Sequence, residues 1–176
     1  MSARACSMAY LTGHRCSPPE AVRVAAATGY DLVGLRLWPN APGAQQQHLL
    51  GDAALLRETL AACRDTGVGV FDLEIVRIGE GFDPCLYLPL FEAGAALGAR
   101  AVLVAGDDAD LSRLGVNYAR LCEQMAPFGL TADLEFMPWT AVPDACSALR
   151  LVAAAGHPSN AGILVDALHF GRSHTT

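Results

Sequence analysis

The chain has 176 residues, 52% of them hydrophobic, a mean hydropathy of +0.29, and a formal charge of -6 from 18 acidic and 12 basic side chains. That is enough material for one well-buried domain but not comfortably for two. The basic residues are scattered, which argues against a nucleic-acid binder, and the apolar stretches are broken by Arg100 or Asp166 while "MSARACSMAYL" has no apolar leader core, which argues against a membrane span and a signal peptide.

Six cysteines, at 6, 16, 63, 85, 122 and 146, form no CxxC pair. Reduced thiols and a cytoplasmic location are expected, with each cysteine serving as a small core hydrophobe. In chain order, β-rich runs recur as "CSMAYL" from 6, "LVGLRL" from 32, "VGVFDLEIVRI" from 68, "AVLVAG" from 101, "LTADLEFM" from 130 and "GILVDALHF" from 162. Between them lie stretches with helical periodicity: "PPEAVRVAAATG", "DAALLRETLAACRDTG", "LYLPLFEAGAALG" and "NYARLCEQMAPFG". Pro18, Pro19 and Asp52 mark helix starts, and Gly29, Gly67, Gly98, Gly129 and Gly156 mark helix ends. Segment "PNAPGAQQQ", residues 39 to 47, reads as a long loop after the second strand.

Steps of roughly 30 residues are βαβ units, and these build a parallel sheet within a single domain over residues 1 to 176. The chain carries neither GxGxxG nor GxxxxGK[ST]. A nucleotide-binding open sheet therefore loses its main support, and charges at the ends of strands three, five and six favour a TIM-type (β/α) barrel with its site at that face.

In "LTADLEFMPW", alternation puts Thr131, Asp133 and Glu135 on one face and Ala132, Leu134 and Phe136 on the other. Two carboxylates facing a closing barrel are costly unless a cation compensates them. One unit later Asp166 stands near a strand end, and His169, at an odd spacing from it, is expected in the loop just beyond. Glu135, Asp166 and His169 make an oxygen-rich set with one imidazole, suited to Mn²⁺, Mg²⁺, Co²⁺ or Zn²⁺. The competing reading of Asp166 is a helix cap. Asp72 and Glu74 share a face of strand three, with substrate contact and an internal ion pair both open. Trp139 is either the floor of a sugar site or a packed rim residue. His14, after strand one, is a substrate-contact candidate, whereas His48, His157 and His174 are expected to face solvent.

These residues resemble the xylose isomerase-like TIM barrels, which include sugar phosphate isomerases and epimerases and the endonuclease IV group. The stretches that carry the likeness are "GYDLVGLRLWP", "VGVFDLEIVRI", "LGARAVLVAGDD", "LTADLEFMPW" and "PSNAGILVDALHFGRS", above all Glu135 followed one unit later by D-x-x-H. What the resemblance implies is a divalent metal held by Glu135 and Asp166, with His169 contacting substrate or the metal's neighbourhood, Glu135 doubling as acid and base, and Arg172 partnering a substrate hydroxyl or carboxylate. The implied activity is isomerisation or epimerisation of a small sugar, sugar phosphate or polyol through an enediolate. An inosose dehydratase-like lyase and a non-catalytic binding module with the same fold are the alternatives. The histidines that the endonuclease group supplies after strands two and three have no match in "LWPN" and "DLEI".

A full barrel has eight units in about 250 residues. About six are expected here, without the family's strand-seven His and strand-eight Glu. A shortened chain and a chain that works at this length both stay open, and in the second case an oligomer is expected to cover the exposed sheet edges.

Overall fold

The computed structural model describes residues 4 to 173 and 175. Strands β1 (Ser7–Met8), β2 (Leu32–Arg36), β3 (Gly69–Ile78), β4 (Ala101–Gly106), β5 (Thr131–Glu135) and β6 (Ala161–Leu164) alternate with six helices. These are α1 (Pro18–Ala27), α2 (Ala53–Thr66), α3 (Leu88–Leu97), α4 (Leu111–Met125), α5 (Ala145–Ala154) and α6 (Ala167–Arg172). The strands follow sequence order in one parallel sheet, the βα arrangement of an incomplete barrel. Residues 37 to 52 form the long loop expected after β2, and no helix among the described residues is long and apolar enough to cross a membrane.

The contacts divide the chain into two units, Met1–Glu74 with Pro89–Arg100, and Ile75–Leu88 with Ala101–Thr176. In the first, β1 pairs with β2 and β2 with β3, both parallel, with a register shift between Val33 and Leu35. Val22, Val33, Leu35, Leu73, Leu90 and Phe91 are its fully buried apolar residues among others. In the second, β4 pairs with β5 and β5 with β6, again parallel. Every residue of β4 is buried, as expected of a parallel strand covered on both faces.

Helix ends follow the local chemistry. Ser17 and Glu20 form a capping box ahead of α1, and the Asp52 carboxylate accepts from the Ala54 and Leu55 amides ahead of α2. Gly29, Gly67, Gly98, Gly129 and Gly156 all hold positive φ, the conformation that lets each chain segment leave its helix. Two expectations need correction. Helix α4 begins at Leu111, six residues ahead of the stretch with obvious periodicity, because Asp110 caps it. Strand β6 ends at Leu164, so Asp166 lies past the strand and caps α6, which places His169 in a helix rather than in a loop.

Asp72 and Glu74 do project from one side of β3. Glu74 accepts from Arg36 Nη2 at Oε2 over 2.6 Å, with both side chains largely buried, so the internal ion pair is formed. Arg36 lies over the Tyr10 ring, 4.4 Å from its centroid. Burial outweighs the attraction of Arg36 and leaves the Glu74 carboxyl above its ordinary pKa. The Asp72 side chain fills the space that a Cβ would need at Gly34 on β2.

Candidate metal centre

In the second unit the C-terminal end of β5 delivers Glu135, and the β6–α6 connection delivers Asp166 and His169. Asp166 Oδ1 accepts hydrogen bonds from the Leu168 amide at 2.7 Å and the His169 amide at 3.0 Å, which fixes the first turn of α6. That turn brings His169 Nε2 to 3.6 Å from Glu135 Oε1, and Nδ1 to 3.9 Å from Asp166 Oδ1. One ligand atom from each of the three residues lies within 4.8 Å of the others.

Asp166 is thus a helix cap and a member of the cluster at once. The glutamate and imidazole are almost wholly buried, the aspartate is about two-fifths exposed, and His169 Nδ1 is a buried nitrogen without a hydrogen-bond partner. A ring nitrogen so placed is a polar group waiting for a partner. Two carboxylates and one imidazole converging on it are a donor set for a hard or borderline divalent cation. By that test the residues fit a metal, with Glu135, Asp166 and His169 as the ligands. The geometry keeps His169 beside Glu135 and Asp166, the set that the residue types suggest.

Below Glu135 on the same face, Asp133 is partly buried against Gly162 of β6, where a Cβ would collide with its carboxylate. Desolvation raises its pKa, opposed by a hydrogen bond from Thr131. On the opposite side, Tyr118 of α4 donates to the Ala132 carbonyl at 2.7 Å, and burial pushes its phenol far up. Helix α4 is thereby tied to the strand that carries Glu135.

Above the cluster, Trp139 meets the His169 ring edge to face, with centroids 4.8 Å apart and planes at 87°. Its loop is tightly held. Met137 and Val142 pair through N–H to carbonyl at 3.0 Å, Thr140 Oγ1 donates to the Met137 carbonyl at 2.9 Å, and the Ala141 amide donates to Gly106 at 3.0 Å. Gly106 is itself a close approach: a Cβ there would stand 2.7 Å from Val142 Cγ2 and 3.1 Å from Leu114 Cδ2. Gly106→Ala should therefore cost about 1 to 3 kcal/mol through overpacking, read as a lower denaturation midpoint in urea. An unchanged midpoint would show that the loop yields freely.

The other anticipated residues have the following surroundings. Arg172 sits exposed in the last turn of α6, with no hydrogen bond or ion pair to the cluster among the described residues. His14 and Glu74 belong to the first unit, where the His14 ring lies 3.1 Å from the Leu11 carbonyl oxygen and Glu74 holds Arg36. His48 and His157 are exposed, and His174 lies outside the described residues. Sequence reasoning missed the clamp on the β4–α4 loop, where buried Asp108 accepts from Arg113 Nε at 2.6 Å and Nη2 at 2.7 Å. Its signal was the i, i+5 spacing of Asp108 and Arg113 around the capping Asp110.

No protein-family model matches the chain, and no curated protein does. Solved structures do. A xylose isomerase-like TIM barrel/4-hydroxyphenylpyruvate dioxygenase fusion protein is 24% identical, with a TM-score of 0.74 over 96% of this chain and 27% of its own. IolI protein, solved with a bound zinc atom, is 16% identical, with a TM-score of 0.75 over 98% of this chain and 66% of its own. D-allulose 3-epimerase from Methylomonas sp., in complex with D-allulose, is 16% identical, with a TM-score of 0.72 over 97% of this chain and 65% of its own. The chain spans about a quarter of the fusion protein and about two thirds of the other two. Over nearly its whole length it has the fold of the xylose isomerase-like TIM barrels.

Proposed function

We propose that the chain carries the metal-binding, proton-transferring part of a divalent-metal-dependent isomerase or epimerase acting on a small sugar or polyol. The observation that carries this reading is the convergence of Glu135, Asp166 and His169 at the strand ends, with the buried Nδ1 of His169 unpartnered. Zinc bound to IolI and D-allulose bound to the epimerase, both on this fold, support it.

Glu135, Asp166 and His169 would hold a divalent cation, which would supply Lewis-acid polarisation of a carbonyl and its neighbouring hydroxyl. The protein's own part is proton handling. Glu135 is buried at the strand end, and its carboxylate would take the proton from the carbon beside the carbonyl. Returning it to the adjacent carbon on the same face, while the neighbouring hydroxyl's proton passes to the former carbonyl oxygen, gives isomerisation with one acid/base. Inversion at a single carbon needs a second acid on the opposite face. His169, carried by α6, would orient a substrate hydroxyl.

The test is solvent exchange. With Mn²⁺ added, D-fructose or D-allulose incubated with the protein in D₂O should gain deuterium beside the carbonyl, measured by NMR, and Glu135→Gln should stop it. No incorporation by metal-loaded protein with any ketohexose would overturn the reading.

A further inference from the structure

Tryptophan is expensive to leave in water, and 63% of Trp139 is exposed. Its setting is not that of a loose loop side chain. Residues 137 to 142 are closed on themselves by the Met137–Val142 pairing and the Thr140 hydroxyl, then fastened to the end of β4 through Gly106. The indole also packs edge to face on His169, a member of the polar cluster. A rigid aromatic surface therefore stands open beside convergent carboxylates, the pairing of apolar wall and few polar groups that small-molecule sites use.

From this we infer that Trp139 is the stacking platform of a carbohydrate subsite. It takes the C–H face of a ketose or cyclitol whose hydroxyls point toward Glu135, Asp166 and His169. Sugars match such a surface because one face of the carbon skeleton is lined by C–H bonds while the hydroxyls lie at its edge. The free indole surface and the neighbouring cluster provide for both at once. The inference rests on the proposed sugar reading and adds the residue that recognises the ligand's apolar face.

The chain has two tryptophans, so a Trp38→Phe background isolates the emission of Trp139. Titration of that protein with D-allulose, D-fructose and myo-inositol should give a saturable emission change with at least one of them. In calorimetry, Trp139→Ala should raise the dissociation constant for that sugar by about ten-fold or more, Trp139→Phe should recover most of the loss, and Mn²⁺ affinity should be unchanged in both.

No saturable change, or an unaltered sugar affinity in Trp139→Ala, would overturn the platform. A parallel loss of Mn²⁺ affinity in Trp139→Ala would also overturn it, because the residue would then act by holding His169. The Mn²⁺ affinity of the unsubstituted protein reports separately on the metal reading, so the two can fail independently.

Discussion

Arg36→Ala should cost about 3 to 5 kcal/mol at neutral pH, one of the largest losses available to a single substitution in this chain. The reason is what stays behind. Glu74 is 9% exposed as a side chain, its bond to Arg36 is 2.6 Å long, and removing the guanidinium leaves a buried carboxylate without its cation. Loss of the contact with the Tyr10 ring adds about 0.5 to 1 kcal/mol.

The pH dependence identifies the cause. Glu74 already has a pKa raised above 4.5, and losing Arg36 raises it further. Above that raised value the variant carries the full penalty; as pH falls toward 4.5 the carboxyl takes up a proton in the folded state first, and the penalty shrinks. Urea denaturation of wild type and variant at pH 8 and pH 5 should therefore show a smaller gap at pH 5. The double substitution Arg36→Met with Glu74→Leu should recover most of the stability, because two apolar side chains need no pairing. A gap independent of pH would mean that lost packing, not the stranded charge, sets the cost.

That pair also shows where the sequence was readable. Alternation in "VGVFDLEIVRI" puts Asp72 and Glu74 on one face, and β3 bears this out, but the partner of Glu74 is 38 residues away on β2. Strand period is local; strand neighbours are not. The same limit governs His169. Its spacing from Asp166 rules out one strand face for both, which is correct, yet a loop and a short helix satisfy that spacing equally. The helix was signalled by Asp166 itself, an N-cap residue followed by "ALHF", and by the early end of β6.

Glycine punctuation was legible because the positive φ after α1 to α5 is a backbone requirement that few other residues meet. The start of α4 was not, since its first turn, Leu111 to Leu114, shows periodicity only once Asp110 is recognised as the cap. The position of Trp139 after strand five suits a sugar-site floor or a packed rim residue. Its pinned loop and its contact with His169 depend on Gly106 and Val142, partners that no short-range pattern exposes.

The largest effect on binding is expected at the proposed metal centre, where Glu135→Ala and Asp166→Asn should each weaken Mn²⁺ or Zn²⁺ binding by about 100-fold or more, beyond the effect of losing an outer partner of a ligand. The two substitutions do different things to the protein. Asparagine caps a helix as well as aspartate does, so Asp166→Asn keeps the bonds to the Leu168 and His169 amides and leaves α6 formed while removing the charge. Asp166→Ala removes both and should fray the six-residue helix, displacing His169 as well. Weak binding in Asp166→Asn with unchanged helix content therefore isolates the ligand role. Glu135→Ala should leave α6 formed, because the hydrogen bonds that cap that helix come from Asp166 and not from Glu135. Metal affinity by calorimetry, with circular dichroism for helix content, checks all three expectations. Wild-type affinity retained in both Glu135→Ala and Asp166→Asn would mean that the cluster is a structural hydrogen-bonding group and not a metal centre.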